Sequence, residues 1–156
     1  MKPKSLARQS LLQKRTQLSL QQVRLTSQQI TQKLLQTIDF AQFSRIHLYT
    51  PLAGGNEVDT TMLQYELTIR YPELQVIMGS PRPQAAFPKG DFDAVFTPCV
   101  GFNRDGFRLG FGNGWYDRFL LGQPQALKIG LAYAWSKVDF APEPHDIPLD
   151  MILTDG

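Results

Sequence analysis

The sequence predicts an α/β layered protein, and three observations carry that prediction. Short runs rich in β-branched and aromatic residues alternate with longer segments that read as helices. Two of the short runs, residues 93–98 and 127–133, are apolar almost throughout, as strands buried on both faces are. A glycine-containing loop, residues 51–57, follows the first strand-like run, at the strand end where ligands bind in open α/β sheets. A length of 156 residues suits one compact domain with a sizeable core, so a single domain over 1–156 is expected.

Residues 4–17 contain no Gly or Pro and predict a first helix. At about 100° per residue, Lys4, Arg8 and Arg15 share one narrow stripe, with Ala7, Leu11 and Leu18 on or beside it. Cations on an apolar face point toward the protein body, where they need an anion. Lys2 and Lys14 suit plain solvation. Ser19-Leu-Gln-Gln22 is a capping box that starts a second helix reaching about residue 36, with Val23, Ile30 and Leu34 as its apolar face.

Residues 45–50 predict the first strand, with His47 as a strand residue rather than a catalyst. Asp59-Thr-Thr predicts the cap of a helix reaching about residue 71. Glu57 reads two ways. It is a carboxylate favoured by the helix dipole, or an acceptor for the N–H donors of a heterocycle. Residues 74–78 predict the next strand. Residues 79–90, with Pro81, Pro83 and Pro88, read as a connection or a mobile lid. After the strand 93–98, Cys99 reads as a buried small hydrophobe and Asn103-Arg-Asp-Gly106 as a turn. Residues 115–121 predict a helix ending at Gly122, and residues 151–154 a final strand. His145 adjoins Asp146, yet adjacent side chains seldom point the same way and no nucleophile accompanies them. His145 therefore reads as structural, and Asp150 as a turn or capping group.

Composition excludes several classes. One cysteine rules out an intrachain disulfide framework and a cysteine-rich metal site. No apolar run is long enough to span a bilayer, and the basic N-terminus lacks the apolar core of a signal peptide, so a cytoplasmic protein with no membrane partner is expected. The net charge of +2 hides an asymmetry: seven Lys/Arg and no acid precede Asp39. A basic arm suits nucleic acid, or a few cations aimed at a phosphorylated small molecule. The arm is poor in aromatics for base stacking, which favours the small molecule and no nucleic acid.

The stretch Arg108-Leu-Gly-Phe-Gly-Asn-Gly-Trp-Tyr-Asp117 organises the rest. Alternating Gly110, Gly112 and Gly114 allow consecutive main-chain N–H groups to turn toward one centre, as in an anion-binding nest. The loop opens into a helix N-terminus, which also favours phosphate. Arg108 adds a cationic fork, and Asp117 a hard oxygen ligand for magnesium, which Asp146 could complete. The pattern is neither the P-loop nor the dinucleotide fingerprint.

This stretch resembles the signature of the 5-formyltetrahydrofolate cyclo-ligase family, also called methenyltetrahydrofolate synthetases. Supporting features run along the chain in order: Lys4 and Arg8 in the basic helix, Tyr49-Thr-Pro with Asn56-Glu57-Val-Asp-Thr, Phe96-Thr-Pro-Cys-Val-Gly-Phe-Asn, and Pro144-His-Asp146-Ile-Pro-Leu-Asp150. The resemblance implies a three-layer fold with a mostly parallel central sheet, like the sugar-phosphate isomerases and CoA transferases. It implies conversion of 5-formyltetrahydrofolate and ATP into 5,10-methenyltetrahydrofolate, ADP and phosphate, with magnesium. ATP is the cosubstrate and Mg2+ the cofactor. By the same resemblance, Lys4, Arg8 and Arg108 hold phosphates, and Leu109, Gly110, Phe111, Gly112, Asn113, Gly114, Trp115 and Tyr116 wrap the nucleotide. Arg108, Tyr116 and Asp117 form the catalytic set, Thr50, Glu57 and Trp115 contact the folate, and Asp117 and Asp146 hold the metal. A monomer is expected, with a dimer as the open alternative. Asn113 stands where relatives often have glycine or lysine, and Trp115 where they have tyrosine. A non-catalytic folate- or nucleotide-binding regulator is therefore the alternative reading.

Overall fold

The computed structural model describes residues 3–79 and 85–156. Helix α1 is Lys4–Arg15 and α2 is Leu20–Thr37. The capping box forms as expected: the Ser19 hydroxyl accepts from the Gln22 N–H, and the Gln22 side chain accepts from the Ser19 N–H. Strand β1 (Arg45–Tyr49), helix α3 (Thr61–Arg70), strand β2 (Gln75–Gly79) and strand β3 (Ala94–Pro98) follow. At α3 the capping group is Asp59, whose Oδ1 accepts from the Thr61 N–H at 2.8 Å. The Thr60 hydroxyl turns away and donates to the Tyr49 carbonyl. Strands β4 (Gly101–Phe102) and β5 (Arg108–Leu109), helix α4 (Trp115–Leu121), and strands β6 (Leu127–Leu131) and β7 (Met151–Leu153) complete the chain. The predicted residues 80–84 of the proline-bearing connection, and Lys2, lie outside the described residues.

The central sheet has the order β2-β1-β3-β6-β7, and every pairing is parallel. From β1 the chain crosses through α3 to β2 on one side. From β3 it crosses through α4 to β6 on the other. Right-handed crossovers in opposite directions place the two helices on opposite faces. The side chains agree. His47 of β1 meets Phe119 of α4 at 5.3 Å, whereas Phe96 of β3 stacks on Phe40, just beyond α2, on the far side. Strand alternation sends such residues to opposite faces. The order reverses between β1 and β3, and the crevice at their carboxyl ends is the place such sheets reserve for ligands.

A small antiparallel hairpin, β4 with β5, was absent from the sequence reading. Its turn is set by Asn103, whose Oδ1 accepts the N–H groups of Asp105 and Phe107. The hairpin carries Val100 and Leu109 against Ala7, Leu11 and Phe140, a second apolar cluster apart from the main core. Removing Leu11 down to alanine would cost about 2–4 kcal/mol by the usual transfer and cavity terms. This cluster seats α1 beside the glycine loop.

Candidate active site

The site begins at the C-terminal end of β3. There the Pro98 carbonyl accepts two hydrogen bonds from Arg108, from Nε at 3.0 Å and Nη2 at 2.9 Å. That pair fixes the start of the glycine loop. The Arg108 guanidinium also lies 5.1 Å from the centre of the Tyr116 ring. A Cβ on Gly110 would sit 2.7 Å from Arg108 Nη2, so this position admits no side chain while Arg108 is anchored. Gly112 has φ +101°, a region open to glycine and strained for other residues. Among the described residues, no hydrogen bond uses the main-chain N–H groups of residues 110–114. These donors remain for a ligand.

Helix α1 closes one side. Arg8 Nε donates to the Gly110 carbonyl at 2.5 Å. Lys4 forms an ion pair with Asp146, and its Nζ lies 3.5 Å from Glu143 Oε1. Lys4, Arg8, Arg108, Asp117, Asp146 and residues 109–116 line one cavity of about 510 Å³, with Ser5, Pro98, Glu143 and His145. Of the three cations on the stripe, only Lys4 meets a carboxylate among the described residues. Arg8 meets the Gly110 carbonyl, and Arg15 donates Nη2 to the Cys99 carbonyl at 2.8 Å. Lys14 lies exposed over the Trp135 ring, 4.6 Å from its centre.

The carboxylates suit a hard cation. Asp117 Oδ1 accepts the Ile147 N–H at 3.2 Å, and Asp146 Oδ2 accepts the Glu143 N–H at 2.7 Å. Among the described residues no group of three or more His, Cys, Asp or Glu side chains is arranged to hold a metal ion by itself. Magnesium commonly takes one or two carboxylates together with phosphate oxygens, so this donor set fits it.

The N-terminus of α4 is capped in part: Asn113 Oδ1 accepts the Trp115 N–H at 2.9 Å. The donors of residues 110–114 lie in the loop before the helix. Trp115, expected to contact the folate, is 3% exposed and boxed by Phe87, Tyr116 and Phe119, with Nε1 donating to the Ala85 carbonyl. Asn113 and Trp115 thus have structural work as cap and packing group.

Thr50 and Glu57 lie outside the lining of the large cavity. Thr50 is exposed at the end of β1, where its N–H donates to the Gly79 carbonyl at 2.9 Å. Glu57 is 4% exposed, and its Oε1 accepts the Leu52 N–H at 2.7 Å. Burial raises its pKa, while Leu52, Arg15 and Arg108 pull it back. Burial also raises the pKa of the Tyr116 hydroxyl, which has no hydrogen-bond partner. Sequence reasoning missed Glu143 and His145 at the cavity wall. Both belong to an exposed, proline-rich tail with no periodicity to reveal its facing. His145 is largely exposed, with Nε2 3.6 Å from Glu143 and Asp146 oxygens.

Fold and site together define an open α/β protein with a cationic, glycine-lined cavity at the carboxyl end of its sheet. The sequence profile of the 5-formyltetrahydrofolate cyclo-ligase family matches residues 62–155, and the chain belongs to that family. A 5-formyltetrahydrofolate cyclo-ligase of Mycoplasma pneumoniae is 36% identical across 97% of this chain and 98% of its own. One of Haemophilus influenzae is 39% identical over 61% of this chain and 49% of its own. The solved 5,10-methenyltetrahydrofolate synthetase of Mycoplasma pneumoniae superposes with a TM-score of 0.83 at 32% identity, covering 98% of this chain and 99% of that one. That of Aquifex aeolicus gives 0.75 at 29% identity, covering 97% and 89%. No helix among the described residues is long and apolar enough to cross a membrane.

Proposed function

We propose that this chain, as one domain over residues 1–156, converts 5-formyltetrahydrofolate to 5,10-methenyltetrahydrofolate with ATP and magnesium. One observation supports the nucleotide part most: Lys4, Arg8 and Arg108 surround a loop in which the main-chain N–H groups of residues 110–114 have no partner among the described residues. Cations and fixed amide dipoles around a transferring phosphoryl group supply positioning and charge neutralisation, which this chemistry mainly requires.

In this reading the formyl oxygen attacks the γ-phosphorus of ATP, and the bond to the bridging oxygen breaks to release ADP. The neighbouring folate nitrogen attacks the activated carbon and loses its proton as phosphate departs and the ring closes. Lys4 and Arg8 hold phosphate oxygens from α1, and Arg108 does so from β5. Residues 109–116 enclose the nucleotide, with Tyr116 beside Arg108. Asp117 and Asp146 would hold magnesium, which neutralises phosphate charge when bound. Glu57 accepts hydrogen bonds from the pteridine N–H groups, with Thr50 at the neighbouring strand end and Trp115 as a wall of the site. The substrates are small molecules and the setting is cytoplasmic, with a monomer as the working unit.

The test is direct. Purified protein with magnesium, ATP and 5-formyltetrahydrofolate is expected to develop methenyl absorbance with stoichiometric ADP. Absence of ATP-dependent product at high enzyme concentration overturns the reading.

A further inference from the structure

Arg15 is the least satisfied buried charge in the described structure. It is 3% exposed, and only Nη2 has a partner, the Cys99 carbonyl. Nε and Nη1 are buried with none. A lone guanidinium away from water is expensive to hold unless a counter-charge stands near. Among the described residues no carboxylate lies within 4 Å of it, yet Glu57 is buried within its electrostatic reach.

The scaffold ties the two residues together. Asn56, next to Glu57, donates Nδ2 to the carbonyls of Arg15 at 3.0 Å and Leu18 at 3.3 Å. The Asn56 carbonyl accepts the Tyr133 hydroxyl at 2.8 Å. Asn56 itself has φ +53°, the one non-glycine residue with positive φ among those described. A left-handed residue held by three hydrogen bonds aims the next side chain. Here it ties the main chain beside Glu57 to the end of α1 that carries Arg15.

We propose that Arg15 is a positioning residue for the folate: its buried guanidinium, out of direct contact, is the counter-charge of the Glu57 carboxylate that accepts hydrogen bonds from substrate N–H groups. The inference rests on the function proposed above and adds to it the residue that governs Glu57. The other groups around Glu57 leave Arg15 in that position. Arg108 reaches the same carboxylate from β5 but is anchored to Pro98. Tyr49 of β1, Tyr116 of α4 and Tyr133 beyond β6 are uncharged at neutral pH, their hydroxyls pushed further up by burial. Cys99, close to both arginines, is likewise held as the thiol by burial.

The test measures 5-formyltetrahydrofolate binding by calorimetry without ATP, from pH 5 to 8, in the intact protein. Arg15→Gln is expected to weaken folate about tenfold at pH 7, as loss of a buried counter-charge does. It is also expected to move the acid limb of binding upward by about one pH unit, since Glu57 loses its cation. ATP affinity measured separately stays within about twofold. Glu57→Gln removes the limb. An unmoved limb in Arg15→Gln, or equal loss of folate and ATP binding, overturns the proposal. Should Arg15→Gln fold poorly, a thermal-unfolding cycle of Arg15→Met with Glu57→Gln decides. The double variant is expected to be at least as stable as either single one, and additive losses overturn the pairing. Wild-type protein that binds no folate at any pH removes the underlying function as well, which separates the two failures.

Discussion

Lys4 and Asp146, 142 positions apart in sequence, form an ion pair across the wall of the cavity. Asp146 is 5% exposed at its side chain and Lys4 16%, so the pair is largely withdrawn from water. Each is assigned above to a ligand of opposite sign, so nucleotide and magnesium would take over charges that now neutralise one another. Lys4→Met is expected to weaken ATP binding about tenfold or more, the range of a charge-assisted hydrogen bond. Asp146→Asn is expected to raise the magnesium concentration needed for half-maximal activity. Nucleotide titration and magnesium titration check the two separately.

Gly110→Ala is expected to damage the site through Arg108. The new Cβ would stand 2.7 Å from Nη2 and 3.0 Å from Nη1, and Arg108 cannot yield without leaving the Pro98 carbonyl. Loss of that double donation costs about 1.5–3 kcal/mol. Thermal unfolding should therefore fall together with ATP affinity. Arg108→Ala is expected to show the same double loss, because this arginine braces β5 against β3 as well as facing the cavity.

Tyr116→Phe separates folding from function. The Tyr116 hydroxyl is buried with no partner, so its removal is expected to leave stability unchanged or raise it by about 1 kcal/mol. Any loss of turnover then measures a hydrogen bond made only to substrate. Unfolding and turnover of the same preparation give both numbers.

His47 predicts an acid limit to stability. It is fully buried, with both ring nitrogens unpartnered and its edges against Phe92 and Phe119. Burial, with Arg45 adding to it, lowers its pKa to about 4 from 6.5. In the unfolded chain His47 binds its proton near pH 6.5, so the native state is favoured in full above that pH. Stability falls as pH drops from 6.5 toward 4. Between pH 7 and pH 5 the loss is about 2 kcal/mol, at 1.36 kcal/mol per pKa unit. His47→Leu is expected to flatten that part of the stability curve, read from denaturant midpoints at pH 5, 6 and 7.

Much of the fold was legible because its boundaries are marked chemically. Ser19 and Gln22 announce α2, Gly122 ends α4, and the apolar runs of β3 and β6 have no polar alternation because helices cover both faces. The β4–β5 hairpin was not legible, since two-residue strands have no period. Its turn depends on Asn103 reaching two N–H groups, a detail that composition does not distinguish from any polar turn. Within the site, the glycine spacing and the α1 stripe singled out residues that the structure gathers around one cavity. The capping role of Asn113 and the Trp115–Ala85 hydrogen bond escaped because each depends on a local partner. The orphaned donors of Arg15 escaped for the opposite reason: the stripe showed that it faces inward, but only packing shows that no carboxylate reaches it.

The cavity wall joins Lys4 to Asp146, and the nest between them is anchored by Arg108. The three groups come from α1, the β4–β5 hairpin and the segment around residues 143–150, so they meet only while all three segments are docked on the sheet. Pairing of β1, β2 and β3 requires none of them. A ligand gripped by all three would therefore act as a clasp on those outer segments and leave the stability of the central strands largely unchanged.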